Sequence, residues 1–254
     1  MGFAALYPSY VNCALPILLN QPILLIFAMK HIPIEAFIFD IDGTIIDSMP
    51  YHERSWPVMF ERHGIEDRLD LIHQSAGRTG VELMRDILGA DLPEERARAL
   101  VDEKEIIYRD MFREAFREVP GFTTFARAAK SSGLRVALGT AGNPENIAFA
   151  IGGLDMHDFF DAAVGAADVE RGKPAPDIFL EAARQMNVAP ERCIVFEDAP
   201  LGIEAAKRAG MRAVALTTSY PDHDFASHPH VLRVCSDYQC LTEERFWQSQ
   251  TRKP

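Results

Sequence analysis

Ala36-Phe37-Ile38-Phe39-Asp40-Ile41-Asp42-Gly43-Thr44 is the stretch that decides the fold. Its first four residues form an apolar run that predicts a buried strand, and Asp40 and Asp42 follow at the carboxyl end of that strand. Ligands of open α/β sheets bind at this edge. Side chains two residues apart on a strand share a face, so one carboxylate can attack a substrate while the other handles a proton. By itself, the motif is also typical of an ordinary Asp-x-Asp-Gly turn.

Three further polar motifs follow in chain order. Residues 134–139 predict a second strand that ends in Thr140-Ala141-Gly142, and residues 193–196 predict a third that ends in Glu197-Asp198. Between them, Lys173 precedes a turn bounded by prolines. In isolation these motifs have ordinary interpretations as a turn threonine, a helix-capping acid pair and a solvated lysine.

The chain therefore carries an acid pair, a hydroxyl, a lysine and a second acid pair, in that order. The order and spacing of these motifs resemble those of the haloacid dehalogenase-like (HAD) hydrolase superfamily of phosphotransferases. The resemblance is closest to its β-phosphoglucomutase-like branch, which includes sugar phosphatases, and it covers about residues 29–219. It implies an α/β fold with a Rossmann-like three-layer core, in which a parallel sheet lies between helices, and an inserted α-helical cap domain. The alternation of strand and helix patterns after Pro120 independently favours a parallel sheet that is covered on both faces.

The resemblance assigns the two acids of the first motif to catalysis. In this family the first acid attacks phosphorus and becomes an aspartyl-phosphate, and Asp40 takes that position. The second acid protonates the leaving group and then activates water, and Asp42 takes that position. An acid at residue 42 also argues for phosphate-ester chemistry, because the dehalogenase and phosphonate-cleaving branches have a non-acid there.

The resemblance also implies contacts to the phosphate and to a metal ion. Thr140 is expected to bind the transferring phosphate together with Gly43 and the N–H groups of Ala141 and Gly142, and Lys173 is expected to neutralise the phosphate and the nucleophile. The implied Mg²⁺ ligands are the Asp40 carboxylate, the Asp42 backbone carbonyl, and the acids Asp198 and Glu197. Mg²⁺ prefers oxygen ligands of this kind.

Between the first two motifs, helical periodicity replaces strand-like runs. The predicted organisation is an apolar extension at 1–28 outside the fold, a Rossmann-like core at 29–48 and 119–254, and a helical cap at 49–118. The resemblance implies that His52, Arg78 and Lys104 of the cap bind substrate. Each can also be read as a solvated surface side chain.

Asn143 is a further expected substrate contact, at a position where the mutase of this branch has a lysine. A mutase must hold a bisphosphate in two orientations, which favours additional cationic contacts. Asparagine at this position therefore favours hydrolysis.

Composition excludes several classes. The 254 residues carry a net charge of −11, and no Lys/Arg cluster resembles a nucleic-acid footprint. Four scattered cysteines without a Cys-x-x-Cys pair favour a reduced, cytoplasmic protein. Residues 1–29 have no charged residue, but prolines interrupt the apolar run. This favours an upstream extension outside the fold, such as a misplaced start codon would produce, over a membrane-associated leader.

These observations predict a Mg²⁺-dependent phosphatase of small phosphate monoesters, such as sugar or polyol phosphates. The alternatives are a β-phosphoglucomutase-type mutase and a catalytically inactive phosphate-binding module. The expected partner is a small-molecule phosphate ester, with no nucleic acid, no obligatory membrane and a monomeric state.

Overall fold

Six parallel strands form a single sheet in the order β3-β2-β1-β4-β5-β6 in the computed structural model, which describes residues 32–66, 68, 71–72 and 79–251. The predicted extension at 1–28 and Arg78 lie outside the described residues. The strands are β1 Ala36–Phe39, β2 Arg135–Gly139, β3 Ala162–Val164, β4 Cys193–Glu197, β5 Arg212–Leu216 and β6 Val231–Cys235.

The strand order places the polar motifs at one edge. The chain runs outward from β1 to β3 on one side and returns to β4 on the other, so the connection reverses direction between β1 and β4. Phe39 is in register with Leu138 of β2 and with Phe196 of β4. The three strands therefore end level, and their following residues meet at the switch point where α/β sheets bind ligands.

Helices cover both faces of the sheet, which confirms the predicted α/β class. Those between and after the core strands are α4 Phe122–Ser131, α5 Pro144–Gly153, α6 Asp177–Met186, α7 Pro200–Arg208, α8 Gln239–Glu243 and α9 Phe246–Thr251. The cap helices, which precede them in the chain, are α1 Met49–His63, α2 Gly80–Leu88 and α3 Glu94–Arg113. No helix in the described ranges has both the length and the apolar character needed to cross a bilayer.

The face of the sheet that supports the two acid motifs is aromatic. Phe39 of β1 stacks on Phe196 of β4 with ring centroids 4.5 Å apart, and Phe37 packs against both rings. Phe125 of α4 closes this cluster. Because Phe39 and Phe196 immediately precede Asp40 and Glu197, their packing fixes where both acids leave the sheet.

The cap has a hydrophobic cluster of its own, which includes Trp56, Met59 and Phe60 of α1 and Leu83 of α2. Helix α3 belongs to both clusters. Ala97, Leu100 and Ile107 pack in the cap cluster, whereas Tyr108 and Phe112 belong to the larger hydrophobic cluster that also contains the aromatic residues of the core; all five are buried.

Sequence periodicity located most elements, with informative exceptions. The edge strand β6 was not predicted, because its residues are only partly buried and its surroundings are rich in His, Pro and Asp. Residues 239–251 form two short helices that are separated at Arg245, whose φ is +49°. Met111 of α3 is 38% exposed although its neighbours Ile107 and Phe112 are buried.

Replacing Phe196 with alanine should lower the free energy of unfolding by about 3–5 kcal/mol, because the ring fills the space between β1 and α4. Chemical denaturation of the metal-free protein measures this. Leu180→Ala is the control, because Leu180 is 38% exposed and its truncation should cost less than about 1 kcal/mol. Equal losses in the two variants would contradict the central place given to the aromatic cluster.

Candidate active site

Lys173 joins two buried acids at the carboxyl edge of the sheet. Its Nζ donates to Asp40 Oδ1 and to Glu197 Oε1, each at 2.5 Å. All three side chains are almost fully buried. Burial would lower the pKa of Lys173, but the charges of Asp40 and Glu197 hold it above its ordinary value. The lysine therefore remains a cation between two carboxylates.

Asp198 adds a third carboxylate to this cluster. One oxygen from each of Asp40, Glu197 and Asp198 lies within 4.8 Å of the others. Burial and then the neighbouring charges raise the pKa of Asp198 well above its ordinary value. Burial likewise raises the pKa of Asp40 to about 7, although Lys173 opposes the rise. One lysine does not balance three buried acids, so the donor set and its excess negative charge fit a hard divalent cation.

Glu197 is already bound by protein groups on both oxygens. Oε1 accepts from Lys173, and Oε2 accepts from the backbone N–H groups of Asp198 and Ala199 at 3.0 Å each. Gly202, in the first turn of α7, is required here because a Cβ at that position would overlap the Glu197 carboxylate. Glu197 thus orients both the lysine and the turn that carries Asp198.

Gly43 serves the site through its shape. Its φ of +75° makes the turn after Asp42, and a Cβ there would overlap the Asp198 carboxylate. Its N–H donates to Ile46 O at 2.9 Å, and its carbonyl accepts from the Thr218 hydroxyl. The turn itself therefore uses the backbone N–H of Gly43, and the substrate contact expected of Gly43 stays a prediction.

Asp42 borders the same cavity as Asp40, and its carboxylate contacts the cap. Because β1 ends at Phe39, both acids lie just beyond the strand. Asp42 Oδ1 accepts from Ser48 Oγ at 2.7 Å, contacts His52 Nε2 at 2.9 Å and accepts from Tyr108 OH at 3.3 Å. Burial would raise the pKa of Asp42, but His52 and then Ser48 lower it to about 2. Asp42 is consequently ionised at neutral pH.

Two of the predicted cap residues do lie at the site. Lys104, on α3, is 2% exposed, and its Nζ lies 2.5 Å from His52 Nδ1 and donates to Glu105 Oε1 at 3.0 Å. The Lys104 ammonium also lies 4.9 Å from the ring centre of Trp56. His52 therefore links Asp42 of the core to Lys104 of the cap.

The loop after β2 supplies the predicted hydroxyl. Thr140 is buried and borders the same cavity as Ala141 and Gly142. The N–H of Gly142 donates to Thr140 Oγ1 at 3.0 Å. Asn143 Oδ1 accepts from the N–H of Asn146 at 2.9 Å and caps the start of α5. The side-chain oxygen is thus engaged by the helix, and the substrate contact by Asn143 stays a prediction.

These residues enclose a cavity of about 380 Å³ between cap and core. The acids, Lys173 and Thr140 lie at its core end. Its other walls are mixed: apolar side chains stand beside the carboxylates of Glu53 and Glu105, and Asn146 completes the lining on the core side. The apolar lining residues include Met49, Trp56, Leu83 and Tyr220. A small ester could place its phosphate at the acids and its organic part beneath the cap.

Sequence reasoning missed Glu105, Asn146 and Ser48. Glu105 directly follows Lys104, and Ser48 precedes α1, where a serine is usually interpreted as a helix cap. The spacing Asn143-Pro144-Glu145-Asn146 indicates a helix start, which correctly explains Asn143. It gives no sign that the Asn146 side chain is 3% exposed and faces the cap.

Known proteins resemble this chain over most of its length. A family model described as haloacid dehalogenase-like hydrolase matches residues 34–210. The fructose-1-phosphate phosphatase YqaB of Escherichia coli K12 is 34% identical over 181 residues, which are 70% of this chain and 94% of that protein. The validoxylamine A 7'-phosphate phosphatase of Streptomyces hygroscopicus subsp. limoneus is 34% identical over 215 residues, 82% of this chain and 95% of that protein.

A solved structure agrees with these relatives. The β-phosphoglucomutase of Clostridium difficile superimposes with a TM-score of 0.73 at 28% identity, over 85% of this chain and 97% of that one. The family model covers the segments that carry Asp40, Thr140, Lys173 and Asp198, which are the residues that meet at the sheet edge. The chain belongs to the haloacid dehalogenase-like hydrolases.

Proposed function

We propose that this protein is a Mg²⁺-dependent phosphatase that hydrolyses small phosphate monoesters, of the sugar or polyol phosphate class, through an aspartyl-phosphate. The observation that carries the proposal is the placement of Asp40. Its carboxylate stands between Lys173 and Asp198 at the switch point of the sheet, while Asp42 stands beside it under the cap. This arrangement provides a nucleophile, charge neutralisation and a separate proton carrier.

In the first step, a carboxylate oxygen of Asp40 attacks phosphorus, and the bond from phosphorus to the ester oxygen breaks. The leaving oxygen takes a proton from Asp42. Asp42 is ionised without substrate, but a phosphate dianion beside it raises its proton affinity, so that Asp42 takes up a proton from solvent before this transfer. In the second step, water attacks the aspartyl-phosphate and gives its proton to Asp42. Inorganic phosphate leaves, and Asp40 is regenerated.

The residues proposed to hold the cation are Asp40, Asp198 and the backbone carbonyl of Asp42. When bound, Mg²⁺ supplies positive charge that lets a phosphate dianion approach the buried carboxylates. Lys173 neutralises the nucleophile, and Thr140 with the backbone N–H of Ala141 orients the phosphate, while the Gly142 N–H donates to Thr140 itself. Because both Glu197 oxygens have protein donors, we place Glu197 as the residue that holds Lys173 and the Asp198 turn.

A phosphosugar mutase is the alternative, supported by the likeness to the Clostridium difficile β-phosphoglucomutase. Asn143 argues for hydrolysis, because a neutral side chain that caps α5 offers no cation for a second phosphate. The cavity walls also carry Glu53 and Glu105, whose charges disfavour a bisphosphate. An inactive phosphate-binding module is opposed by the presence of the nucleophile and its proton carrier together.

The two phosphatase relatives support a phosphorylated carbohydrate as the substrate class. Lys104 and Trp56 are the proposed contacts to the organic part, and Arg78 is a proposed contact that lies outside the described residues. A monomeric state and a reduced, cytoplasmic location stay predictions from composition.

Asp40→Asn should lower phosphate release by at least about 10³-fold, because an amide cannot form the covalent intermediate. Phosphate release is measured with fructose 1-phosphate and a panel of other sugar and polyol phosphates in Mg²⁺. Asp47→Asn is the matched control, since Asp47 pairs with Arg117 at the surface and should retain activity.

The same samples separate hydrolysis from isomerisation. The sugar products are identified alongside free phosphate. Conversion of hexose 1-phosphate to hexose 6-phosphate without net phosphate release would favour the mutase. An Asp40→Asn protein that retains activity within tenfold of wild type would remove Asp40 from the role of nucleophile.

Mg²⁺ should raise the melting temperature of the wild-type protein more at pH 8 than at pH 6. The folded-state pKa values of Asp40 and Asp198 lie above their ordinary values, so the metal-free fold is stabilised by protonation and loses that stability as pH rises through about 7. Above that pH the carboxylates repel one another and bind a cation without competition from protons. Asp198→Asn should lose most of this Mg²⁺ effect without loss of metal-free stability.

Thermal unfolding in EDTA and in excess Mg²⁺ tests this at both pH values. A Mg²⁺ effect of equal size in wild type and Asp198→Asn would place the cation elsewhere. Phosphatase turnover that persists in protein shown to be metal-free would contradict the requirement for the ion.

A further inference from the structure

The side-chain amide of Asn146 connects the core to the cap. Asn146 lies in the first turn of α5 and is 3% exposed. Its Nδ2 donates to Glu105 Oε2 at 2.8 Å, and its Oδ1 accepts from an Arg109 guanidinium nitrogen at 2.6 Å. Glu105 and Arg109 are one turn apart on α3, so two cap side chains hold one core amide from both ends.

The contact continues from Glu105 to the proton carrier. The second Glu105 oxygen accepts from Lys104 at 3.0 Å, Lys104 lies 2.5 Å from His52, and His52 lies 2.9 Å from Asp42. Burial would raise the pKa of Glu105, but Lys104 and then His52 bring it below its ordinary value, so Glu105 is a carboxylate. The ionised Glu105 holds Lys104 in the orientation that reaches His52.

Asn146 is itself fixed relative to the loop that carries Thr140. Its backbone N–H donates to the Asn143 side chain, which caps α5 directly after Thr140-Ala141-Gly142. Between that loop and the Asn146 amide there is less than one helical turn. The position of α3 over the phosphate loop is therefore set at Asn146.

We propose that Asn146 is a positioning residue for the hydrolytic reaction. With Glu105 and Arg109 it forms a cap–core clamp that orients Lys104 and His52 on Asp42 when α3 is docked on α5. The inference rests on the proposed function, because it assigns the clamp to the step in which Asp42 carries the proton. We assign the clamp no contact with the phosphate: it acts through Asp42 and the cap.

Asn146→Asp tests the clamp by placing a second carboxylate against Glu105. The repulsion should release Glu105 and Lys104 and lower kcat by about tenfold to a hundredfold, since hydrogen bonds to a buried charge are lost. The affinity for inorganic phosphate with Mg²⁺ should change little, because Thr140 and Lys173 are intact.

The double variant Asn146→Asp/Glu105→Gln should restore kcat to within about threefold of wild type. The glutamine side chain introduced at residue 105 can donate from its amide nitrogen to the carboxylate introduced at residue 146. Its amide oxygen can still accept from Lys104. The Arg109 contact also becomes an ion pair. A residue with a merely structural role would not be rescued by a second, individually unfavourable change.

Two further variants complete the set. Arg113→Gln is the matched control, because Arg113 lies one turn along α3 and contacts Phe149 of α5 but not the Asn146 amide; its kcat should equal that of wild type. Arg109→Met removes one arm of the clamp and should lower kcat by about fivefold to tenfold. It also tests the clamp if Asn146→Asp fails to fold.

A second readout separates failure of the clamp from failure of the proposed function. Trp56 lies 4.9 Å from the Lys104 ammonium, so its fluorescence depends on where the clamp holds Lys104. The chain has two tryptophans, and Trp247→Phe leaves Trp56 as the one that fluoresces. The measured quantity is the change in Trp56 fluorescence on addition of Mg²⁺ and inorganic phosphate. The wild-type change should be lost in Asn146→Asp and regained in the double variant.

A wild-type protein without turnover on any ester would overturn the phosphatase assignment, and the fluorescence would then decide the clamp alone. An unchanged kcat in Asn146→Asp, no rescue in the double variant, or the same fluorescence in all three proteins would overturn the clamp.

Discussion

The buried ion pairs of Lys173 with Asp40 and Glu197 are the constraint on which the site depends. Three carboxylates gather at one sheet edge, and each would cost several kcal/mol to bury alone. Lys173 offsets part of this cost, and the remaining negative charge makes the site receptive to a cation. The two glycines at positions 43 and 202 follow from the same constraint, because only residues without a Cβ leave room for acids placed this close together.

The part of the site that could be predicted lies at strand ends. Asp40, Thr140 and Asp198 each follow an apolar run, and parallel strands that end level bring such residues together whatever the intervening chain does. Lys173 was identified through the order of motifs, since a single lysine carries no local signal. Periodicity and topology place the first three positions at one sheet edge, whereas the role of Lys173 is implied only by the resemblance to the family.

The remainder depends on tertiary docking, which one sequence does not display. Asn146 and Glu105 are 41 residues apart and meet only because α3 lies against α5. The Asp42 carboxylate is held by Ser48, His52 and Tyr108, and these contacts form only when α1 and α3 dock on the core. The strand β6 lies at the sheet edge, where solvent-facing residues such as Arg233 weaken the apolar pattern. In each case the neighbour that decides the outcome is distant in the chain.

Because helix α3 packs in both the cap and the core, the cap cannot be removed without changing the core. Residues up to Ile107 pack within the cap, and Tyr108 and Phe112 belong to the large hydrophobic cluster of the core. Excising the cap would therefore remove two buried rings from the other body and open a void there. Cap and core therefore share one cooperative unit of stability. A chimera that joins this cap to a related core would need core residues that leave a complementary site for both rings.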